Sequence, residues 1–243
     1  MRNSILLSLL LPDTDKKERD EEISEMYQLA ATVGFKITDT IYQSKTRIDA
    51  STYFGKGKIK NIVEIIKTLN INTIFINEEL NPSHFKNIAK ITSEKIFVID
   101  RTKLILDIFN LHAQTNEAKK QVKLATLEYL LPRLVGQWTH LERQMGGTGT
   151  RGGPGEKQIE VDRRLARKDI TKLKRDLKNI QKQRNNQIKS RKDIFKIAIV
   201  GYTNAGKSSL LKSITGHDTL IKDQLFATLD TLTKTFKLPN NNT

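Results

Sequence analysis

Phe195-Lys196-Ile197-Ala198-Ile199-Val200-Gly201-Tyr202-Thr203-Asn204-Ala205-Gly206-Lys207-Ser208-Ser209-Leu210-Leu211 is the stretch that decides the class of this chain. Gly201 to Ser208 fits G-x-x-x-x-G-K-[ST], the pattern of a phosphate-binding loop. The flanks suit it. The apolar run 195–200 reads as a buried-type strand entering the loop, and 206–214 reads as a helix leaving it. Glycines let the backbone curl so that successive N–H groups face phosphates, and a helix N-terminus adds partial positive charge. The expected contacts are Gly201, Asn204, Ala205, Gly206, Lys207, Ser208 and Ser209. Lys207 can reach the β- and γ-phosphates, and the Ser208 hydroxyl can ligate Mg²⁺. The loop alone does not separate GTP from ATP.

N-terminal to this loop lies a long basic helical region. Residues 156–191 read as one charged helix with an apolar seam of Ile159, Ala166, Ile170, Leu173, Leu177 and Ile180 at intervals of mostly three and four, the mark of a coiled-coil-like face. Residues 114–135 form a second helical pattern, and the two are expected to fold back as an antiparallel hairpin. Between them stands Gly146-Gly147-Thr148-Gly149-Thr150-Arg151-Gly152-Gly153-Pro154-Gly155, where six glycines and a proline in ten residues exclude helix and regular strand.

The first 110 residues alternate strand and helix signals. Strands are expected at 5–10, 36–42, 73–76 and 96–99, and helices at 18–33, 58–69 and 82–91, the last opening on Pro82 after Asn81. Residues 104–111 also look helical. Alternation of this kind argues for a small α/β layer. The domains are therefore read as 1–110, an α/β subdomain; 111–192, the hairpin with its glycine-rich loop 146–155; and 193–243, the beginning of a phosphate-loop domain. A second glycine pattern, Gly55-Lys56-Gly57-Lys58, reads as a helix-entry turn with solvated lysines.

Composition narrows the partners. There are 42 Lys and Arg against 27 Asp and Glu, a net charge of +15. Such an excess implies an anionic partner, with nucleic acid first among candidates. Arg163, Arg164, Arg167 and Arg175 stand in the long helix among many lysines, and cation density of this kind supplies affinity for RNA backbone. No cysteine is present, which excludes disulfides, thiolate zinc sites and thiol catalysis and fits a reducing cytosol. His84, His112, His140 and His217 show no metal-ligand spacing. Trp138 reads as a core residue. The apolar run 5–11 is followed by Pro12 and Asp13 with no small-residue cleavage site, so it is read as a buried strand and not a leader.

Two stretches together resemble the HflX family of ribosome-associated GTPases. One is the glycine-rich loop with its flanks, Trp138-Thr139-His140-Leu141-Glu142-Arg143-Gln144 and Gly155-Glu156-Lys157-Gln158-Ile159-Glu160-Val161-Asp162-Arg163-Arg164. The other is the phosphate loop followed by Asp223-Gln224-Leu225-Phe226-Ala227-Thr228-Leu229-Asp230. Val98-Ile99-Asp100-Arg101-Thr102 and Ile105-Leu106-Asp107-Ile108-Phe109 are also similar to that family.

The resemblance implies an N-terminal α/β domain, a helical hairpin and a Ras-like GTPase domain. It implies GTP and Mg²⁺ as cofactors, and the large (50S) ribosomal subunit as partner of a monomeric, cytoplasmic protein that splits stalled ribosomes. Under it, the loop residues Gly146, Gly147, Gly149, Arg151, Gly152 and Gly153 reach rRNA, and Thr228 is the switch threonine that closes on Mg²⁺ and the γ-phosphate beside the catalytic Lys207. Asn204 resembles an asparagine that helps hold K⁺. The chain departs from the family at Asp230-Thr231-Leu232, where many members read Asp-Pro-Thr. Neither the Asp-x-x-Gly nor the guanine-reading Asn-Lys-x-Asp motif of the family is present. The expectation is therefore a chain with little hydrolysis of its own. Two other readings are a non-catalytic rRNA-binding unit and a phosphate-loop ATPase or kinase. The last leaves the basic hairpin unexplained.

Overall fold

The computed structural model describes residues 1–13, 15–92, 96–134, 156–189, 197–201, 205–216 and 233–234. The expected loop residues Gly146 to Gly155, with Trp138, His140, Asn204, His217 and Thr228, lie outside the described residues.

The N-terminal part alternates strand and helix as its periodicity requires: β1 (Arg2–Leu10), α1 (Lys16–Thr32), β2 (Phe35–Ser44), α2 (Lys56–Thr68), β3 (Thr73–Ile76), α3 (Pro82–Ile91), β4 (Phe97–Asp100) and α4 (Arg101–His112). All pairings are parallel, in the order β2-β1-β3-β4. A central parallel strand is buried on both faces, which is why β1 is a continuous run of apolar and small residues from Ser4 to Leu9. Its alternate residues serve different layers. Leu6 and Phe75 pack with Met26, Leu29, Leu104 and Ile108 of α1 and α4. Ile5, Leu7, Ile74 and Ile76 pack with Ile59, Ile62, Ile66, Phe85 and Ile88 of α2 and α3 on the other face.

Caps set the helix starts. Asp15, Asn81 and Asp100 each accept from a backbone N–H of the first turn, at 2.7, 2.8 and 2.8 Å. Helix α2 differs: Gly55, at φ +94°, leads into it without a side-chain cap. The expected entry turn at Gly55–Lys58 is thus present, with Lys56 exposed and Lys58 half-buried.

Helix α5 (Asn116–Leu130), a 3-10 turn (Leu131–Arg133) and α6 (Glu156–Lys189) follow. The last described helix is α7 (Lys207–Thr215). Ion pairs place α5 and α6 antiparallel: Glu117 with Arg184 at 3.2 Å, Lys120 with Asp176 at 3.0 Å and Glu128 with Lys174 at 2.8 Å. The seam residues Ile159, Ala166, Ile170, Leu177 and Ile180 are half-buried and Leu173 is buried, as their spacing requires. No helix among the described residues is long and apolar enough to cross a membrane.

Of the strand expected at 195–200, the described residues 197–200 carry no ladder, and Val200 is 89% exposed. A strand needs a neighbour for its N–H and C=O groups. The four described strands are committed to the N-terminal sheet.

Sheet order reverses between β1 and β3, and a polar network gathers at their C-terminal ends. Asn77 donates to Glu22 at 3.0 Å, and Arg101 pairs with Glu25. Burial first, and then the Glu22 charge, pushes the Glu78 carboxyl from its ordinary 4.5 to about 7. The folded chain therefore holds this proton up to a higher pH than the unfolded chain does, and stability falls as pH rises between those two values. Glu78→Gln removes the ionisation. Its stability relative to wild type should rise by about 3 kcal/mol across that window. Urea midpoints measured at a series of pH values check this; parallel curves for the two proteins would refute it.

Candidate functional site

Gly206 is the pivot of the phosphate loop. It sits in the left-handed region, φ +78° and ψ 9°, immediately before α7. Glycine adopts that conformation without the penalty that a Cβ brings. The turn delivers a helix whose N-terminus has no side-chain cap and no acidic residue in its first turn. Leu210 N–H donates to Gly206 C=O at 2.9 Å, closing the first turn. The helix ends on a second left-handed glycine, Gly216, whose N–H donates to Lys212 C=O at 2.8 Å.

Lys207 folds back over the loop. A Cβ built on Gly201 would lie 3.7 Å from Lys207 Cδ and 3.9 Å from its Cγ. The lysine stem therefore crosses the start of the loop, and its ammonium belongs to the same small region as the helix N-terminus. Those distances are ordinary contacts, so Gly201 is not required for space on that side. Only Gly206 is required, for its backbone. Lys207 and Ser208 are half-buried; Gly201, Ala205 and Ser209 are exposed. A left-handed glycine that opens a helix and a lysine stem lying beside Gly201 suit a phosphate group. Among the described residues no group of three or more acidic, histidine or cysteine side chains could hold a metal by itself. Ser208 is a described residue of this loop whose hydroxyl could ligate a cation.

Helix α6 carries the second feature. At about 100° per residue, Arg164, Arg167, Lys168, Arg175, Lys178 and Lys182 fall within roughly 100° of one another, opposite the apolar seam. All six are exposed, and none forms an ion pair among the described residues. Arg163 differs, since it is half-buried and 3.9 Å from Glu160. Nearer the seam, Lys120 bonds Asp176 and holds its carboxyl below the usual range.

What sequence reading missed is the joint between the sheet and the hairpin. Asp100, fully buried at the end of β4, accepts from Tyr129 Oη at 2.8 Å and Leu80 N at 3.1 Å. Arg133 donates to Leu80 O at 2.6 Å and Tyr129 O at 2.8 Å, with its guanidinium 3.9 Å from the centre of the Tyr129 ring. The backbone of Leu80 is thus held from both sides. Burial raises the Asp100 carboxyl, opposed by its hydrogen bonds and by the Arg133 charge. An Asp before a helix signals a cap, but no sequence signal marks Arg133 as buried.

Three family models match parts of the chain. Residues 20–110 match the family described as GTP-binding GTPase N-terminal, residues 112–191 the GTP-binding GTPase Middle Region, and residues 196–243 the 50S ribosome-binding GTPase. A GTPase HflX of Alkalihalophilus pseudofirmus is 45% identical over 228 residues, 93% of this chain and 53% of that protein. GTPase HflX of Magnetococcus marinus is 43% identical over 98% of this chain and 55% of its own length. The Escherichia coli GTPase HflX is 42% identical over 86% and 49%. The chain spans about half the length of these curated relatives. Among solved structures, a GTP-binding protein of Sulfolobus solfataricus in complex with GDP is similar, with TM-score 0.51 and 28% identity, over 89% of this chain and 54% of that one. A complex of SsGBP with GDP gives TM-score 0.54 at 27% identity, over 89% and 56%.

Proposed function

We propose, from the premise that this chain belongs to the HflX family of GTPases, that it is the ribosome-engaging part of a GTP-binding protein that helps separate stalled ribosomes into subunits. The observation that carries the nucleotide reading is the left-handed Gly206 feeding an uncapped helix beneath the folded-back Lys207. Gly206, Lys207, Ser208 and Ser209 hold the phosphates, with Gly201, Asn204 and Ala205 completing the loop. Lys207 supplies positive charge to the β- and γ-phosphates, and the Ser208 hydroxyl takes a place on Mg²⁺. Mg²⁺ neutralises phosphate charge when bound. By the family resemblance Thr228 would close on Mg²⁺ and the γ-phosphate, and Asn204 would help hold a K⁺ ion. GTP is taken as the nucleotide because the relatives are named GTPases.

The large ribosomal subunit is the partner. Unpaired arginines opposite the packed seam of α6 present charge to rRNA backbone while the hairpin carries the glycine-rich loop to its target. Reversing Arg164, Arg167 and Arg175 to Glu together should weaken ribosome binding and reduce the salt slope by about 2 to 3. Deleting residues 146–155 should spare most of that affinity but abolish subunit separation in a protein carrying the rest of the family's length. Co-sedimentation of ribosomes across a salt series, beside a subunit-splitting assay, tests both. Ribosomes that pellet without the chain at low salt would reject the partner. Undiminished splitting by the deletion would reject the role of the loop.

A second reading is an RNA-binding unit that works without turnover, since the exposed cations of α6 need no nucleotide to meet RNA backbone. Nucleotide-independent binding that is no tighter with GTP would support it.

A further inference from the structure

The two faces of the N-terminal sheet carry opposite electrostatics. Helices α1 and α4, on one face, hold six carboxylates and five Lys or Arg. Three of those cations are paired: Arg19 with Asp20, Arg101 with Glu25 and Lys103 with Asp107. Helices α2 and α3, side by side on the other face, hold six lysines and one carboxylate, Glu64. Lys56, Lys60, Lys67, Lys86 and Lys90 are all exposed, and none is in an ion pair among the described residues.

Their spacing is regular. At about 100° per residue, Lys56, Lys60 and Lys67 lie within roughly 40° of one another on α2, and Lys86 and Lys90 are one turn apart on α3. Like charges at such spacing repel when no counter-charge is near. Glu64, at ion-pair spacing from Lys60 and Lys67, is the one carboxylate on these two helices, so among the described residues the exposed lysines outnumber their counter-charge and an external anion can supply the balance.

We propose that the α2–α3 face is a second RNA-binding surface, separate from the hairpin, that takes the phosphate backbone of duplex RNA. The proposal deepens the ribosome reading and rests on it for the identity of the anion. Three features favour duplex backbone. The cations on these helices are all lysines, compact point charges suited to phosphates, with no arginine fork for base edges. No exposed aromatic stands on α2 or α3 to stack on unpaired bases: Phe85 is 3% exposed and His84 is buried. Duplex RNA is contacted mainly through its phosphates and 2′-hydroxyls, so a rigid, charged, non-aromatic face fits it.

The test uses the full chain and a fluorescent RNA duplex, with binding followed by anisotropy across a salt series. One variant carries Lys60→Glu, Lys67→Glu, Lys86→Glu and Lys90→Glu. A second replaces the same four with Gln, removing charge without reversing it. A third carries Arg164→Glu, Arg167→Glu and Arg175→Glu. All substituted side chains are exposed, and circular dichroism confirms the fold of each. The Glu set should lower affinity at least tenfold and the Gln set by less. Each should flatten the salt slope by about 3 to 4, since each lost lysine–phosphate contact removes about 0.9. The hairpin set should lower affinity independently, and the combined variant should show the product of the two losses. If the hairpin set weakens binding and both lysine sets stay within twofold of wild type, this surface is overturned and the ribosome reading stands. If wild type leaves the duplex unbound at low salt, both are overturned. If poly-glutamate of matched charge, titrated against the chain in the same way, binds as tightly as the duplex and is equally weakened by the lysine sets, the surface takes acidic protein and the RNA assignment is wrong.

Discussion

Replacing Lys207 by Ala is expected to lower GTP turnover by a factor on the order of 10³ in a protein that also carries the downstream sequence of the family, the size of effect seen when a preorganised positive group is removed from a charge-developing centre. Ser208→Ala should give a loss of similar order by removing the Mg²⁺ ligand. Neither should shift the unfolding midpoint of the sheet and hairpin, because neither side chain belongs to their core clusters. Gly206→Ala should act differently. It forces a Cβ into the left-handed region at φ +78°, a strain of about 1–2 kcal/mol. The loop should then lose nucleotide affinity with its lysine intact, whereas Gly201→Ala should be tolerated better, since its Cβ meets Lys207 only at ordinary contact distance. Single-turnover hydrolysis and nucleotide titration of the four variants check the order. Near-normal turnover by Lys207→Ala would remove the phosphate-site assignment.

The second large effect is expected at the joint. Arg133→Met should destabilise the sheet–hairpin unit by about 3 kcal/mol or more. The guanidinium is 6% exposed and serves two carbonyls, Leu80 O and Tyr129 O, which have to find new partners once it is gone. Its stacking on Tyr129 is lost as well. Tyr129→Phe removes only the hydroxyl bond to Asp100 and should cost about 1–2 kcal/mol, most of it from leaving a buried carboxylate less satisfied. Urea unfolding followed by circular dichroism separates the two. A loss under 1 kcal/mol for Arg133→Met would show that the joint is not held this way. The joint bears on function because the 3-10 turn of Arg133 is the last described structure before the glycine-rich segment. A loosened joint would let the hairpin leave its fixed direction relative to the sheet, so ribosome splitting should suffer more than RNA affinity.

Most of the N-terminal architecture is legible in the residues themselves. The run Ile5 to Leu10 could only be a strand buried on both faces, and Asn81-Pro82 marks the start of α3 to the residue. The α6 seam is read from its intervals and packs against α5 as those intervals require. In each case the signal is a side-chain pattern within one segment, and main-chain geometry converts it directly into a face. The phosphate loop is legible for the same reason, although both glycines look alike in sequence and only Gly206 takes a positive φ.

What the sequence by itself determined is therefore local: which segments are strands and helices, where helices begin, which side of α6 is apolar, and that a glycine turn leads into α7. The tertiary structure alone decided which ionisable groups left water. Arg133 reads as one more cation in a basic chain until Leu80, 53 residues away, supplies its acceptor. Asp100 reads as a helix cap until Tyr129, 29 residues on, covers it. Residues 197–200 have a strand's composition and carry no ladder with another described segment. The burial and long-range pairing of these ionisable groups are properties of contacts between distant segments, and no periodicity within a segment encodes them.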